Sequence, residues 1–378
     1  MSTNQPLQTV RTQRRKRHIS VILSPLLCLL ILLKVGCCSA ATFTWNGSVS
    51  SDWFNKTNWT PVGVPVSTDT INLTNGAINL TNSVRIQGVF NWAAGTLSGQ
   101  PLAIASGGGL NISGNVILQN VLTNAGTVTM TGAANVTIYN NGGIYQGGVF
   151  NLSGALWDIQ TNASINCACY GPEFFNNAGT FRKSVSAGTA TVNVNFTNTA
   201  TINAQAGIVS FNGGFTTTGG TLAFGVSGLA SFGKINVVGS VALNGTANVS
   251  WLNGFVPAVG NSFALLDYGS QSGTFANITF PPGILGQGTY GATVFSITIT
   301  NTTAPTNLPV FLSIKLANTN IAVISWPSSA STYSLQTSTN LLSGSWSNIT
   351  SGITTISTND VFSNNVNGKS GFFRLQSP

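Results

Sequence analysis

The chain has 378 residues, of which 14 are basic, 6 are acidic and one is a histidine. Six of the basic residues lie before residue 41, so the remainder carries 8 basic and 6 acidic side chains, a net charge of 8 − 6 = +2. Nucleic-acid binding requires a dense array of Lys and Arg, so the composition excludes that class of partner. The single histidine, His18, lies in the same N-terminal segment, which excludes His-dependent nucleophilic catalysis and His-ligated metal sites from the rest of the chain.

Residues 1–40 have the pattern of a secretory signal peptide. A basic, polar segment is followed by an apolar run at 19–33 and by small residues at 35–41. The run is shorter than the ~20 residues that span a bilayer, and Lys34 interrupts any extension of it. We therefore expect cleavage near Ala40 and a secreted or cell-surface protein. The alternative is an uncleaved leader, which would then be the membrane attachment.

Residues 41–302 are predicted to form a right-handed parallel β-helix, so the fold class is all-β. Short runs of Val, Ile, Thr, Phe and Leu alternate with period 2 and are separated by Gly, Asn and Ser. One pattern, an apolar residue followed by Asn and a turn, recurs from Leu122, Phe150, Phe175 and Phe196. Its intervals of 28, 25 and 21 residues match one solenoid coil of about three short strands.

Stacking of such coils predicts two internal ladders. An apolar ladder is predicted from Phe150, Phe175 and Phe196. A polar ladder, whose amides hydrogen-bond along the stack, is predicted from Asn124, Asn177 and Asn198.

Three tryptophans, Trp45, Trp53 and Trp59, open the predicted β-helix. A solenoid exposes unpaired strand edges at its ends, so we interpret these residues as part of an N-terminal cap. The alternative is a glycan-binding platform on which sugar rings stack. The longer strands at 224–300 predict the last coils and a C-terminal closing sheet.

Two cysteines, Cys167 and Cys169, follow the leader and are separated by one residue. They are too few for tetrahedral zinc without histidine, and we predict neither a metal nor a cofactor. The alternatives are a local loop disulfide, two free thiols, or a labile redox pair.

Residues 303–309 form a polar linker, and residues 310–378 contain about seven further strand-like segments. With Trp326 on an early strand and no cysteine, this segment predicts a small fibronectin-III or immunoglobulin-like β-sandwich.

Several motifs together resemble a known group of proteins. They are the opening Trp45-Asn-Gly, the Asn-Ala-Gly-Thr segments at 124–127 and 177–180, a closing segment at 239–275 and the tail at 324–375. The first three resemble secreted β-helix proteins of Verrucomicrobia and Planctomycetes, which are similar to autotransporter and adhesin passenger domains. The tail resembles a C-terminal module of verrucomicrobial exported proteins. The resemblance implies an extracellular β-helix without implying a particular activity.

The candidate chemistry is restricted to one cluster, Asp158, Glu173 and Arg182, with Lys183 beside it. A glycosidase requires two carboxylates ~5–10 Å apart. The interval from Asp158 to Arg182 is about one coil, which favours a structural ion pair over a catalytic carboxylate. We therefore predict a non-enzymatic structural or adhesin-like protein, with extracellular glycans or other cell-surface components as partners. The alternative is a polysaccharide-binding or polysaccharide-cleaving protein, with this cluster as its site.

Overall fold

The computed structural model describes residues 40–302, 311–318, 320–328, 330, 333–340, 345–365 and 371–376. The predicted signal peptide up to residue 39 and the predicted linker at 303–309 lie outside these residues. Within the described ranges, no helix has both the length and the apolar character needed to cross a membrane.

The described chain consists almost entirely of short strands. The first are β1 Thr42–Trp45, β2 Trp59–Thr60, β3 Thr70–Leu73, β4 Ala77–Leu80, β5 Val84–Ile86, β6 Val89–Trp92, β7 Gly95–Gly99, β8 Leu102–Ile104, β9 Gly109–Ile112, β10 Asn115–Leu118, β11 Val121–Asn124, β12 Thr127–Met130, β13 Asn135–Ile138 and β14 Gly148–Asn151. A single 3-10 turn, Lys56–Asn58, precedes β2.

The strands continue in the same style and lengthen towards residue 302. They are β15 Leu156–Ile159, β16 Ser164–Cys167, β17 Phe174–Asn177, β18 Thr180–Lys183, β19 Thr189–Val192, β20 Asn195–Asn198, β21 Thr201–Ala204, β22 Ile208–Phe211, β23 Phe215–Thr217, β24 Thr221–Gly228, β25 Ser231–Phe232, β26 Lys234–Leu243, β27 Thr246–Trp251, β28 Ser262–Gly273, β29 Asn277–Thr279, β30 Ile284–Tyr290 and β31 Val294–Thr302. The last are β32 Ser313–Asn318, β33 Ile321–Pro327, β34 Ser334–Ser338, β35 Ser347–Asn348, β36 Ile353–Ile356, β37 Asn359–Asn365 and β38 Phe372–Gln376.

The four-residue strands follow from the period-2 pattern. In β3 the side chains of Ile71 and Leu73 are buried, while Thr70 and Asn72 are half-buried on the outer face. A strand of this length places two apolar side chains inside and two polar ones outside. Gly, Asn and Ser then turn the chain into the next strand.

Two compact units divide the described chain, and the first contains its residues 40–150 and 168–173. Its described strands form three parallel stacks. These run β3-β6-β9-β12, β4-β7-β10-β13 and β5-β8-β11, with β1 parallel to β3 and β2 antiparallel to β1. Each strand of these three stacks thus pairs with the strand three positions later in the chain, so one coil contains three strands.

The second unit contains residues 151–167 and the described residues from 174 onwards, and it repeats this arrangement. Its parallel stacks run β15-β18-β21-β24-β27-β29, β16-β19-β22-β26-β28 and β17-β20-β23. Strands β31 and β30 then add to β28 in antiparallel fashion. The predicted parallel β-helix is confirmed, with antiparallel strands closing its last coils.

The predicted polar ladder is present in the second unit. Asn177 Nδ2 donates to Asn198 Oδ1 at 2.7 Å, and Asn198 Nδ2 donates to Thr217 Oγ1 at 3.2 Å. Asn151 Nδ2 donates in turn to Asn177 Oδ1 at 2.7 Å. These partners are 19 to 26 residues apart, one coil each. In the first unit, Asn124 is buried and accepts from the Gly126 amide.

The predicted apolar ladder needs one correction. Phe175 and Phe196 stack with ring centroids 5.0 Å apart, but the placement of Phe150 inside is wrong, because Phe150 is 37% exposed. Asn151 faces inward, so strand alternation buries Val149 and turns Phe150 outward. Phe215 continues the stack beyond Phe196, with centroids 6.3 Å apart.

Strands β32 to β38 form the predicted small sandwich. One sheet has the order β32-β33-β37-β36 and the other β35-β34-β38, all antiparallel. The first order is that of strands A, B, E and D of an immunoglobulin-like domain. The core contains Ile324, Trp326 and Leu335.

Candidate functional site

The three N-terminal tryptophans are buried. Trp45 is 3% exposed, Trp53 is 1% exposed and Trp59 is not exposed at all. Trp59 packs edge-on against both others, with ring centroids 4.9 Å from Trp45 and 4.8 Å from Trp53. Its indole Nε1 donates to the Trp53 carbonyl at 2.7 Å.

This packing removes the platform that the glycan interpretation of the tryptophans requires. A sugar ring stacks on an accessible aromatic face, and these faces are covered by one another and by Phe43 and Phe90. Their burial accords with the cap interpretation, in which aromatic side chains close the first coil.

Asp158 and Arg182 are brought together by the coil repeat. They occupy paired positions on β15 and β18, and their outward side chains meet on adjacent coils. Arg182 Nε and Nη2 donate to the two carboxylate oxygens, each at 3.0 Å. The Asp158 side chain is 2% exposed and that of Arg182 is 31% exposed. The ion pair is therefore bidentate, and its carboxylate is buried whereas its guanidinium is partly exposed.

The protonation of this pair is fixed by its contacts. Burial alone would raise the pKa of Asp158, but hydrogen bonds from Arg182 and from Gln160 Nε2 lower it below its ordinary value. The same bond to Asp158 raises the pKa of Arg182. Because both carboxylate oxygens accept from the guanidinium, Asp158 is a poor candidate for a base or a nucleophile.

Glu173 is held separately, in the loop that follows β16. Its carboxylate is 3% exposed and accepts from the backbone amides of Tyr170 at 2.9 Å and Gly171 at 2.8 Å. Burial would raise the pKa of Glu173, but backbone amides lower it. The Glu173 carboxylate is thus occupied by backbone amides of its own loop.

Cys167 and Cys169 form a disulfide at the start of the same loop. Cys167 is half-buried and Cys169 is exposed. Cys169 adopts a φ of 64°, a left-handed conformation that is uncommon for a residue with a side chain. The disulfide therefore fixes a tight turn of the chain beside the Glu173 carboxylate.

Lys183 is a buried cation whose position the sequence analysis did not assign. It follows Phe181 by two residues on β18, so both side chains face inward, and it is 0% exposed. Its ammonium donates to the carbonyls of Val185 at 2.9 Å and Ser186 at 3.1 Å, and to Ser186 Oγ at 2.8 Å. The carbonyl of Thr161 lies at 3.3 Å. Burial lowers the pKa of Lys183 to about 8. The period-2 pattern alone could have indicated this inward orientation.

The other four carboxylates also bind neighbouring groups. Asp52 accepts hydrogen bonds from the Phe54 amide and from Thr81 Oγ1. Asp69 accepts hydrogen bonds from the amides of Ala41 and Val66. Asp267 forms an ion pair with Lys234 Nζ at 2.6 Å, and Asp360 accepts a hydrogen bond from Thr355 Oγ1. Across the described part of the chain, no three His, Cys, Asp or Glu side chains gather in a way that could hold a metal ion.

One cleft of about 320 Å³ lies in the C-terminal sandwich, lined by Trp326, Tyr333, Asn348 and Asp360 among others. Trp326 belongs to the sandwich core. Among the described residues that line this cleft, Asp360 alone carries a carboxylate, so they offer no acid pair. The chain matches no protein-family model and no curated protein sequence.

Proposed function

We propose that the protein is an exported, non-enzymatic β-helix protein that acts as a structural or adhesin-like component of a cell surface or extracellular matrix. Export is supported by the leader pattern at 1–40. The scaffold role is supported by a fold in which each unit consists of stacked parallel coils.

The observation that carries the proposal is the use of the carboxylates. The chain has six, and each accepts hydrogen bonds from, or forms an ion pair with, a group of the fold itself. Hydrolysis of a glycosidic bond needs an acid and a second carboxylate facing each other across the substrate. Asp158, the most promising candidate, is instead bound through both oxygens to Arg182. The carboxylates therefore support the fold rather than a reaction.

The test is incubation of the full chain with a panel of plant and bacterial polysaccharides, assayed for retention and for new chain ends. We expect no new ends from the wild-type protein or from the double variant Asp158→Asn with Glu173→Gln. New ends from the wild-type protein would overturn the proposal. Their loss in the double variant, with the fold retained by circular dichroism, would then assign cleavage to these two carboxylates.

A further inference from the structure

Two loops of the first unit lie against each other: residues 139–147, after β13, and residues 168–173, after β16. The Ala168 amide donates to the Ile138 carbonyl at 2.7 Å. Asn140 joins the two loops, because its Nδ2 donates to the carbonyls of Gly147 at 3.1 Å and Pro172 at 3.3 Å. With Asn140 only 8% exposed, this joint is buried.

The loops bring together three tyrosines, Tyr139, Tyr145 and Tyr170, which we call the tyrosine cluster. Tyr139 lies between the others, with ring centroids 6.0 Å from Tyr145 and 6.2 Å from Tyr170. Tyr170 is 55% exposed, and Tyr139 and Tyr145 are half-buried. An aromatic surface is thus presented to solvent on loops, where binding residues are commonly found.

The exposed tyrosine is held in place by several independent features. Its backbone amide donates to the Glu173 carboxylate, and the Cys167–Cys169 disulfide closes the turn before it. Cys169, directly before it, has a φ of 64°, which is uncommon for a residue with a side chain, whereas Gly171, directly after it, takes a φ of 113° that glycine adopts without steric cost. An uncommon conformation such as that of Cys169 persists where the surroundings enforce it, and such residues concentrate at binding sites. These features fix the backbone that carries the ring, so less conformational freedom of the loop is lost when a ligand binds.

The chemistry around the cluster favours a neutral, hydroxyl-rich ligand. Glu173 is the sole Asp, Glu, Lys or Arg in the two loops, and its carboxylate is occupied by backbone amides. Asn141 and Gln146 are exposed beside the tyrosines and carry neutral amides. Asn141 Oδ1 accepts from the amides of Gly143 and Tyr145, which orders the loop, and Gln146 Nε2 lies 3.4 Å from the Gly143 carbonyl. Aromatic faces stack on the C–H face of a sugar ring, while amides and phenol hydroxyls exchange hydrogen bonds with its hydroxyls. Neither loop supplies a Lys or Arg as partner for a phosphate or carboxylate ligand.

We propose that the tyrosine cluster is a binding site for neutral oligosaccharides, with the Tyr170 ring as its main contact. The proposal deepens the adhesin-like function and rests on it, since the glycan would be the surface component that the protein recognises. The disulfide and Glu173 act as positioning groups for the Tyr170 loop.

The test measures binding of the full chain to neutral β-glucan, xylan and mannan oligosaccharides, beside polygalacturonate and a proline-rich peptide. We expect a neutral oligosaccharide to bind, and Tyr170→Ala to weaken it by about tenfold or more. Tyr170→Phe should retain most of the affinity because it keeps the ring. The matched control is Phe311→Ala, which removes a 76% exposed aromatic side chain from the sandwich and should leave binding unchanged.

Several results would overturn this site. They are the absence of neutral-glycan binding, equal binding by wild type and Tyr170→Ala, and binding restricted to the acidic polymer or the peptide. Failure here is distinct from failure of the proposed function. If the protein adheres to cells and produces no new chain ends but binds no neutral glycan, the adhesin-like role is supported and the glycan site is refuted. New chain ends would refute the non-enzymatic role, whereas a Tyr170-dependent loss of affinity would still support the site.

Discussion

At the scale of single residues, Lys183 is the least expected group in the β-helix. Its register partners on the adjacent strands are Ile159 and Ala204, so an ammonium occupies a position that is otherwise apolar. Carbonyl and hydroxyl oxygens accept from it in place of a carboxylate. Burial of an amine away from water in such a site disfavours its protonated, charged form.

This burial gives a pH dependence of stability with a defined sign. The pKa of Lys183 is about 8 in the folded chain and 10.5 ordinarily, so between these values the unfolded chain binds more protons than the folded one. The free energy of unfolding should therefore rise between pH 8 and pH 10.5, by up to about 3 kcal/mol, and the full cost of the buried charge should be present below pH 8. Denaturant titrations across this range measure the rise.

The variant Lys183→Met should abolish that rise. The slope with pH is the readout rather than the stability at one pH, because Met also leaves the surrounding carbonyls without their donor. Lys56→Met, at an exposed lysine, should retain the wild-type slope. An unchanged slope in Lys183→Met would show that other groups cause the pH dependence.

At the scale of the strand, the Asn ladder determines which face of each coil is inside. Asn177 Nδ2 also donates to the carbonyl of Thr201 at 3.0 Å, so its amide satisfies backbone as well as side-chain groups. A buried carbonyl without a donor loses its hydrogen bond to water and gains nothing in return. The ladder therefore links adjacent coils at the turn that follows β17 and β20.

Asn177→Ala should lower the free energy of unfolding by about 2–4 kcal/mol, because it leaves several buried groups without partners. The matched control lies on the same strand: Asn176→Ala removes an identical side chain from the outer face and should cost well under 1 kcal/mol. Denaturant titration of the two variants checks the difference. Equal losses would mean that the ladder is not a special source of stability.

The same strands show how far the sequence could be interpreted. The β-helix, the coil interval and the inward Asn177 and Asn198 were predictable, because spacing and alternation are encoded locally. Phe150 was misplaced because Val149 and Phe150 are adjacent apolar residues, and a shift of one position exchanges the two faces of a strand. Hydrogen bonds formed across coils, from Asn151 to Asn177 Oδ1 and to the Thr180 carbonyl, hold Asn151 inside and so place Phe150 outside.

The candidate sites were harder to predict for a related reason. The bidentate Asp158–Arg182 pair could be anticipated, because its partners are one coil apart. The burial of the tryptophans depends on Phe43 and Phe90, which lie on other strands. The tyrosine cluster depends on two loops of irregular sequence, whose hydrogen bonds the strand pattern does not encode.

At the scale of the whole molecule, a solenoid is stabilised mainly by contacts between neighbouring coils, so its coils need not unfold together. At the N-terminal end, Trp59 contacts Trp45, Trp53 and Phe43, and we propose that these tryptophans act as the cap. Replacing a fully buried tryptophan by alanine removes about 3–5 kcal/mol of packing. That loss should fall on the coils next to the cap.

Trp59→Ala should therefore accelerate amide hydrogen exchange in β1, β3, β4 and β6, while β18 to β22 of the second unit keep their wild-type protection. Peptide-resolved mass spectrometry separates the two regions. Phe54→Ala is the matched control, because it removes a 37% exposed aromatic side chain from the same segment and should leave the first coils protected. Equal acceleration along the whole β-helix would instead indicate one cooperative unit, in which the cap stabilises distant coils as strongly as its neighbours.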